Sequence, residues 1–256
     1  MARTFEAVTT FSADGYRLYG RRMIESFAKH WAAAVALRVY SENSLPRGDA
    51  RDFPQWLRDF RKRHEKSTAA AGRGANARTR GQYNYRLDAL RFAYKTAAVI
   101  DAAERTDADV LIWVDADTVT HSPVSLEFLR ELAPGPQQAI SWLWRDKNYP
   151  ECGFYMLNMG HPDTHAVLHN WKGLYETDRL FHLPEWHDSY VLAEVVRTLR
   201  APWKSISGVG SSTGHPFING PLGAVMDHMK GNRKIQGRSN QQDLRVVREE
   251  PYWRQP

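Results

Sequence analysis

Val110-Leu111-Ile112-Trp113-Val114, running into Asp115-Ala116-Asp117, is the stretch on which the fold turns. A short continuous apolar run of this kind reads as a strand buried on both faces of a parallel sheet. It stops at two carboxylates separated by one alanine. In extended chain, side chains two apart point to the same side, so Asp115 and Asp117 would project together. The carboxyl end of a buried strand is where open α/β sheets place their ligands. Two carboxylates on one side repel unless a cation lies between them, and a divalent ion with oxygen ligands, Mn²⁺ or Mg²⁺, is the natural partner. Such an ion could bridge to a diphosphate. The same pair also reads as two solvated aspartates at a strand end.

The flanking sequence supports an α/β chain. Phe5 to Phe11 alternates as a strand, and Ser12 to Gly15 follows as a turn. Tyr16, Tyr19, Met23, Phe27 and Trp31 recur at helical spacing, and Val35 to Tyr40 reads as a second strand. Strand–helix–strand is the opening of a parallel sheet flanked by helices. Asp52 to Lys66 reads as a basic amphipathic helix, Ser67 to Gly81 as a mobile loop, and helical spacing resumes at Leu87. Ile140 to Trp144 and Glu151 to Asn158 read as further strands. Helices are expected at Asp163–Tyr175 and at about Trp186–Leu199. No repeat or linker divides the chain, so residues 1–256 are expected to form one domain ending in a tail from 240 to 256.

Composition removes whole classes. Nine Trp, ten Phe and eleven Tyr in 256 residues need a core, which excludes general disorder. A single cysteine, Cys152, excludes a disulfide scaffold and a thiolate zinc cluster, and suits a reducing compartment. The longest near-apolar stretch, Trp31 to Leu37, is too short to span a bilayer. Met1 to Thr10 lacks the basic head and apolar stretch of an export signal, so a cytoplasmic protein is the expectation. The net charge of +6 is local: Arg58 to Arg91 holds ten Lys/Arg against three acids. That segment, with a mobile basic part over 58–83, is either a solvated face or a site for an anionic partner such as a nucleic acid.

A second chemical pattern is His228-Met229-Lys230-Gly231-Asn232-Arg233-Lys234, 111 residues beyond Asp117. His228 could add an imidazole to the same metal. Gly231 would let the backbone approach a phosphate, and Lys230 and Lys234 would neutralise a diphosphate. Asp227 could orient His228. A basic turn with a surface histidine is the plainer reading of the same residues. Asp188, at the start of the Leu192/Val195/Leu199 stripe, is either a helix cap or a site acid.

Taken in order, these patterns resemble metal-dependent glycosyltransferases of the GT-A fold, nearest to glycosyltransferase family 8. Asp14-Gly15-Tyr16, Tyr85-Arg86-Leu87, Leu111 to Asp117, Gly153 to Asn158, Asp188 to Leu192 and His228-x-x-Gly231-x-x-Lys234 carry the resemblance. It implies a Rossmann-like, mostly parallel sheet flanked by helices in a single domain. It also implies a nucleotide-sugar donor, with UDP-hexose first, together with Mn²⁺ or Mg²⁺ and retention of anomeric configuration. It places Thr10, Asp14, Tyr16, Arg86, Asp115, Asp117, Glu151, Lys230, Gly231 and Lys234 at the donor, the metal on Asp115, Asp117 and His228, and Asp188 at the transferred sugar. Glu151 stands where the family has Asn, Ser189 where it has Gln, and Ile235-Gln236 where it has Pro-Trp. Trp186, His187 and His215 are acceptor-side candidates. A hydroxymethylated DNA base, a surface glycan and a lipid-linked sugar are the acceptor expectations. A haloacid-dehalogenase-type phosphatase using Asp115 and Asp117, and a non-catalytic sugar or nucleic-acid binding module, are the alternatives.

Overall fold

The computed structural model describes residues 3–42, 51–74, 82–208 and 215–254. Strand β3 (Val110–Val114) lies inside a six-stranded sheet with β1 (Phe5–Phe11), β2 (Ala36–Ser41), β5 (Ile140–Leu143), β6 (Glu151–Asn158) and β7 (Trp203–Ser205). The strand order is β2-β1-β3-β6-β5-β7. β1 pairs parallel with β2 and β3, and β5 pairs parallel with β7. β6 alone runs against its neighbours. The expected mostly parallel sheet is therefore present, with one reversed strand inserted beside β3.

Period two along β3 divides the core. Leu111 and Trp113 enter one apolar layer, and Val110, Ile112 and Val114 the other. On the first face lie α3 (Gln55–His64), α4 (Ala89–Arg105), α6 (Pro162–Glu176) and α7 (Asp188–Leu199). On the second lie α2 (Arg21–His30) and α5 (Leu126–Leu132). The helical turn α1 (Ala13–Gly15) leads into α2 through a wide π-helical turn at Tyr16–Gly20. Short helices α8 (Pro216–Asn219), α9 (Arg233–Gln236) and α10 (Pro251–Arg254) complete the chain.

Asp163 falls inside the first turn of α6, and the His161 side chain caps that helix by accepting from the Asp163 N–H. Of the stretch 67–81, residues 75–81 lie outside the described residues. Residues 67–74 are held by turn bonds, with Ala70 buried and its carbonyl accepting from Leu90. The segment expected to be a tail packs down in its described part. Trp253 is 1% exposed and donates its indole N–H to the Gly223 carbonyl at 2.7 Å. No helix among the described residues is long and apolar enough to cross a membrane.

A two-stranded ribbon positions the site. β4 (Thr118–Thr120) pairs antiparallel with β8 (Met226–His228), setting Thr118 opposite His228. The ribbon carries a histidine from far along the chain to the carboxyl end of β3.

Candidate active site

Asp115 and Asp117 converge through a turn rather than through extended alternation. After β3 the chain bends, with the Thr118 N–H donating to the Asp115 carbonyl at 3.1 Å. One oxygen of each carboxylate then faces the His228 ring. His228 Nε2 lies 3.1 Å from Asp117 Oδ1 and 3.5 Å from Asp115 Oδ2. The remaining oxygens are held from behind. Asp115 Oδ1 accepts from the Trp113 indole N–H and from Lys95, each at 2.7 Å, and Asp117 Oδ2 pairs with Lys234 at 2.7 Å. Two carboxylate oxygens and one imidazole nitrogen thus face a common point, with ligand atoms within 4.8 Å of one another. This donor set fits a divalent cation such as Mn²⁺ or Mg²⁺.

The other ring nitrogen fixes the histidine. His228 Nδ1 lies 3.0 Å from Glu151 Oε1, at the start of β6. A carboxylate on one nitrogen orients the other toward a metal. Glu151, rather than Asp227, fills this role by position. Asp227 turns the other way and accepts from the Ser239 N–H and the Tyr252 hydroxyl. Glu151 also meets Lys230 at 2.8 Å and His215 Nδ1 at 3.5 Å. Gly153 is explained by the same ring: a Cβ there would stand 2.5 Å from His228 Cε1. Gly231 has φ +56°, in the left-handed region that glycine adopts without strain.

Asp188 joins the centre through a residue that lies outside every motif. Lys95, on α4, pairs with Asp115 at 2.7 Å and with Asp188 at 2.6 Å, and donates to the Cys152 carbonyl. It is 7% exposed. The sequence held a signal for it. Phe92 to Ile100 is apolar around nearly the whole helix except for Lys95. A helix apolar all round is buried, so a lone lysine inside it must find partners. Asp188 occupies the first turn of α7, and its N-cap position is His187.

Electrostatics follow from this interlock. Burial opposes charge on Asp115, Asp117, Glu151 and His228, but their pairings outweigh it. Lys95 and His228 hold the Asp115 carboxyl far below the usual carboxylate range. His228 and Lys234 hold Asp117 down. Lys230, His215 and His228 do the same for Glu151. In return Asp117, Asp115 and Glu151 raise His228 well above the ordinary histidine value. Tyr19, from the π-helical turn, lies under Lys234, whose Nζ is 5.0 Å from the ring centroid. Burial and then Asp117 push its hydroxyl up to about 12.

The remaining expected residues divide into three groups. His215 belongs to the centre through Glu151. Arg86, Trp186 and His187 form an adjoining cluster around Glu185, which pairs with Arg86 at 3.0 Å and His187 at 2.8 Å. The Trp186 N–H donates to the Arg86 carbonyl at 2.7 Å. His187 Nδ1 lies 3.9 Å from Asp188, which links the two clusters. Thr10, Asp14 and Tyr16 lie on and just after β1, with Tyr16 packed against the small apolar cluster that holds Ala116, between the two aspartates. Thr10 donates to the Tyr40 carbonyl, Asp14 is exposed and paired with Arg17, and Tyr16 packs on Phe11. Glu185 and Tyr19 sit outside every motif and carried no signal in the sequence.

Much of the basic stretch is engaged locally. Arg61 donates to the Leu90 carbonyl, Arg63 pairs with Asp178, Arg86 with Glu185, and Arg91 donates to the Tyr83 hydroxyl. Arg78 and Arg80 lie outside the described residues, and Lys62 and Lys66 are exposed.

No protein-family model matches the chain, and no curated protein does. Among solved structures, the glycosyltransferase GlyE of Streptococcus pneumoniae TIGR4 is similar at 12% identity and a TM-score of 0.47, over 79% of this chain and 45% of GlyE. The chain therefore spans less than half the length of GlyE. Mouse xyloside xylosyltransferase 1 is similar at 11% identity and a TM-score of 0.47, over 79% of this chain and 84% of that one. A glycosyltransferase involved in the glycosylation of the major capsid of PBCV-1 is similar at 10% identity and a TM-score of 0.48, over 91% of this chain and 98% of that one. All three of these structural neighbours are glycosyltransferases.

Proposed function

We propose that this protein is a metal-dependent GT-A glycosyltransferase that moves a sugar from a nucleotide-diphosphate donor to an acceptor hydroxyl. The observation that carries the reading is the convergence of Asp115, Asp117 and His228 on one point, with Lys234 and Lys230 beside them. A divalent ion held there would supply Lewis-acid stabilisation of the diphosphate as it departs. Lys234 and Lys230 neutralise further negative charge as the bond to the anomeric carbon breaks. Asp188 reaches the site as half of an ion pair with Lys95. Its role in this reading is stabilisation of positive charge on the sugar ring, which goes with retention of configuration. UDP-hexoses are the first donors to test.

The test is hydrolysis or transfer across a panel of nucleotide sugars with Mn²⁺. Asp117→Asn should lower turnover at least about 10²-fold, the usual loss on removing one preorganised group that stabilises transition-state charge. No turnover with any donor would defeat the reading. Phosphate release from a phosphomonoester, without nucleotide-sugar turnover, would put a phosphatase in its place.

A further inference from the structure

Resting on the transferase reading, we propose that a cavity beside α7 binds a neutral oligosaccharide portion of the acceptor. The cavity measures about 650 Å³ and is formed by α7, the β5–β7 edge of the sheet and the loop before β6. That is the size of a site for a small molecule or a few linked rings.

Its floor is aromatic. Trp142, Trp144 and Trp203 line it, and the Trp144 and Trp203 rings stack with centroids 4.7 Å apart and planes 25° apart. Trp142 adjoins Trp144 at 6.2 Å, and its buried indole N–H has no hydrogen-bond partner among the described residues. Trp203 is 40% exposed, unusual for so large a ring. Polar groups also line it: Asn148, Glu194, Arg197 and Arg200.

The cavity borders the Glu185–His187 cluster that adjoins the centre, through Tyr149 against His187. Its lining reaches Tyr190, two residues from Asp188, and Pro150, next to Glu151. Tyr149, also in the lining, packs edge-on to His187 at 5.1 Å and to Tyr190 at 5.4 Å. Arg200 lies about 15 Å along α7 from Tyr190, at 1.5 Å per helical residue. An occupant that touches both ends is longer than one sugar ring.

The chemistry selects the occupant. A pyranose presents a C–H face of small positive partial charge, which suits the negative face of an aromatic ring, and a rim of hydroxyls, which suits amide, carboxylate and guanidinium groups. A lipid tail would leave the polar wall unused. A nucleic-acid strand also stacks on aromatic rings but needs uncompensated cations along its phosphates. Here Arg197 is paired with Glu194 at 2.6 Å, so the wall is close to neutral apart from Arg200.

The experiment is calorimetric titration of the whole chain, without donor or metal, using maltotetraose, cellotetraose and chitotetraose. At least one should bind. Trp203→Ala should weaken that binding about tenfold or more, and Trp203→Phe, which keeps a ring, should restore most of it. If Trp203→Ala fails to fold by circular dichroism, Tyr190→Ala at the other end serves as the test variant. Absence of binding to all three, unchanged binding in the variants, or binding of a single-stranded oligodeoxynucleotide in their place overturns the proposal. Saccharide binding with no nucleotide-sugar turnover leaves the cavity a saccharide site but removes its acceptor role, and so separates this failure from failure of the transferase reading.

Discussion

The short β4–β8 ribbon has a buried histidine at one end and a largely buried one at the other, and their proton affinities are shifted in opposite directions. His228 closes β8 among Asp115, Asp117 and Glu151. His121 follows β4 and stacks on Tyr252 with centroids 4.2 Å apart and planes 7° apart. Burial lowers the affinity of both rings for a proton. At His121 burial wins, and the ring is pushed down to about 4 in spite of Asp227. At His228 the three carboxylates win, and the ring is pushed well up. Depth alone therefore does not set charge; the partners do. One end of the ribbon is a candidate metal centre, where a cation could take the place of the proton. The other is an aromatic clasp that closes the C-terminal segment over the core.

The contrast breaks first at Lys95. Lys95→Met would leave the part-buried Asp115 and the buried Asp188 without their shared cation. A loss of about 3–5 kcal/mol is expected in chemical denaturation. Unchanged stability would show that the carboxylates of the centre do not depend on that pairing.

Glu151→Gln sharpens it at His228. The variant keeps the shape but removes the charge that fixes Nδ1. Mn²⁺ affinity measured by titration should fall about 10–100-fold. Equal affinity in wild type and variant would mean that Glu151 does not orient the ring.

His121 sets the acid side. Its folded value is depressed, so the folded ring stays neutral while the unfolded ring takes a proton near pH 6.5. Stability from this group is present above about pH 6.5 and lost as pH falls toward 4. Between pH 7 and 4.5 the wild type should lose about 2 kcal/mol more than His121→Phe, after allowing for partial solvent screening. Parallel losses would mean that the ring is not held neutral.

The smallest effect is expected in the basic stretch. Lys62→Glu with Lys66→Glu changes two exposed residues of the α3 region. The melting temperature should move by less than about 2 °C. A large shift would show that these lysines have partners as binding as those of the centre.

Much of this was readable from local pattern. The run Val110–Val114 gave a strand and its carboxyl end, and period two gave its two faces. The Leu192/Val195/Leu199 stripe gave α7 with Asp188 at its head. What local pattern misread is physical in each case. Asp115 and Asp117 meet through a turn that depends on the Thr118 N–H. The segment from 240 reads as polar, yet Trp253 and Tyr252 find a carbonyl and a carboxylate in the β8 region. The arginines of Arg58–Arg91 count as a patch in one dimension, but those among the described residues disperse over several elements in three.

The sequence by itself determined the main strands and helices and the pair of aspartates at a strand end. These depend on neighbours within a turn or two, where spacing and chemistry are fixed together. Only the tertiary structure decided that His228 faces Asp117 across 111 residues, that Glu151 rather than Asp227 steadies it, and that Lys95 ties Asp115 to Asp188. A buried charge is stable only beside its counter-charge, and in this chain those partners come from distant strands and helices.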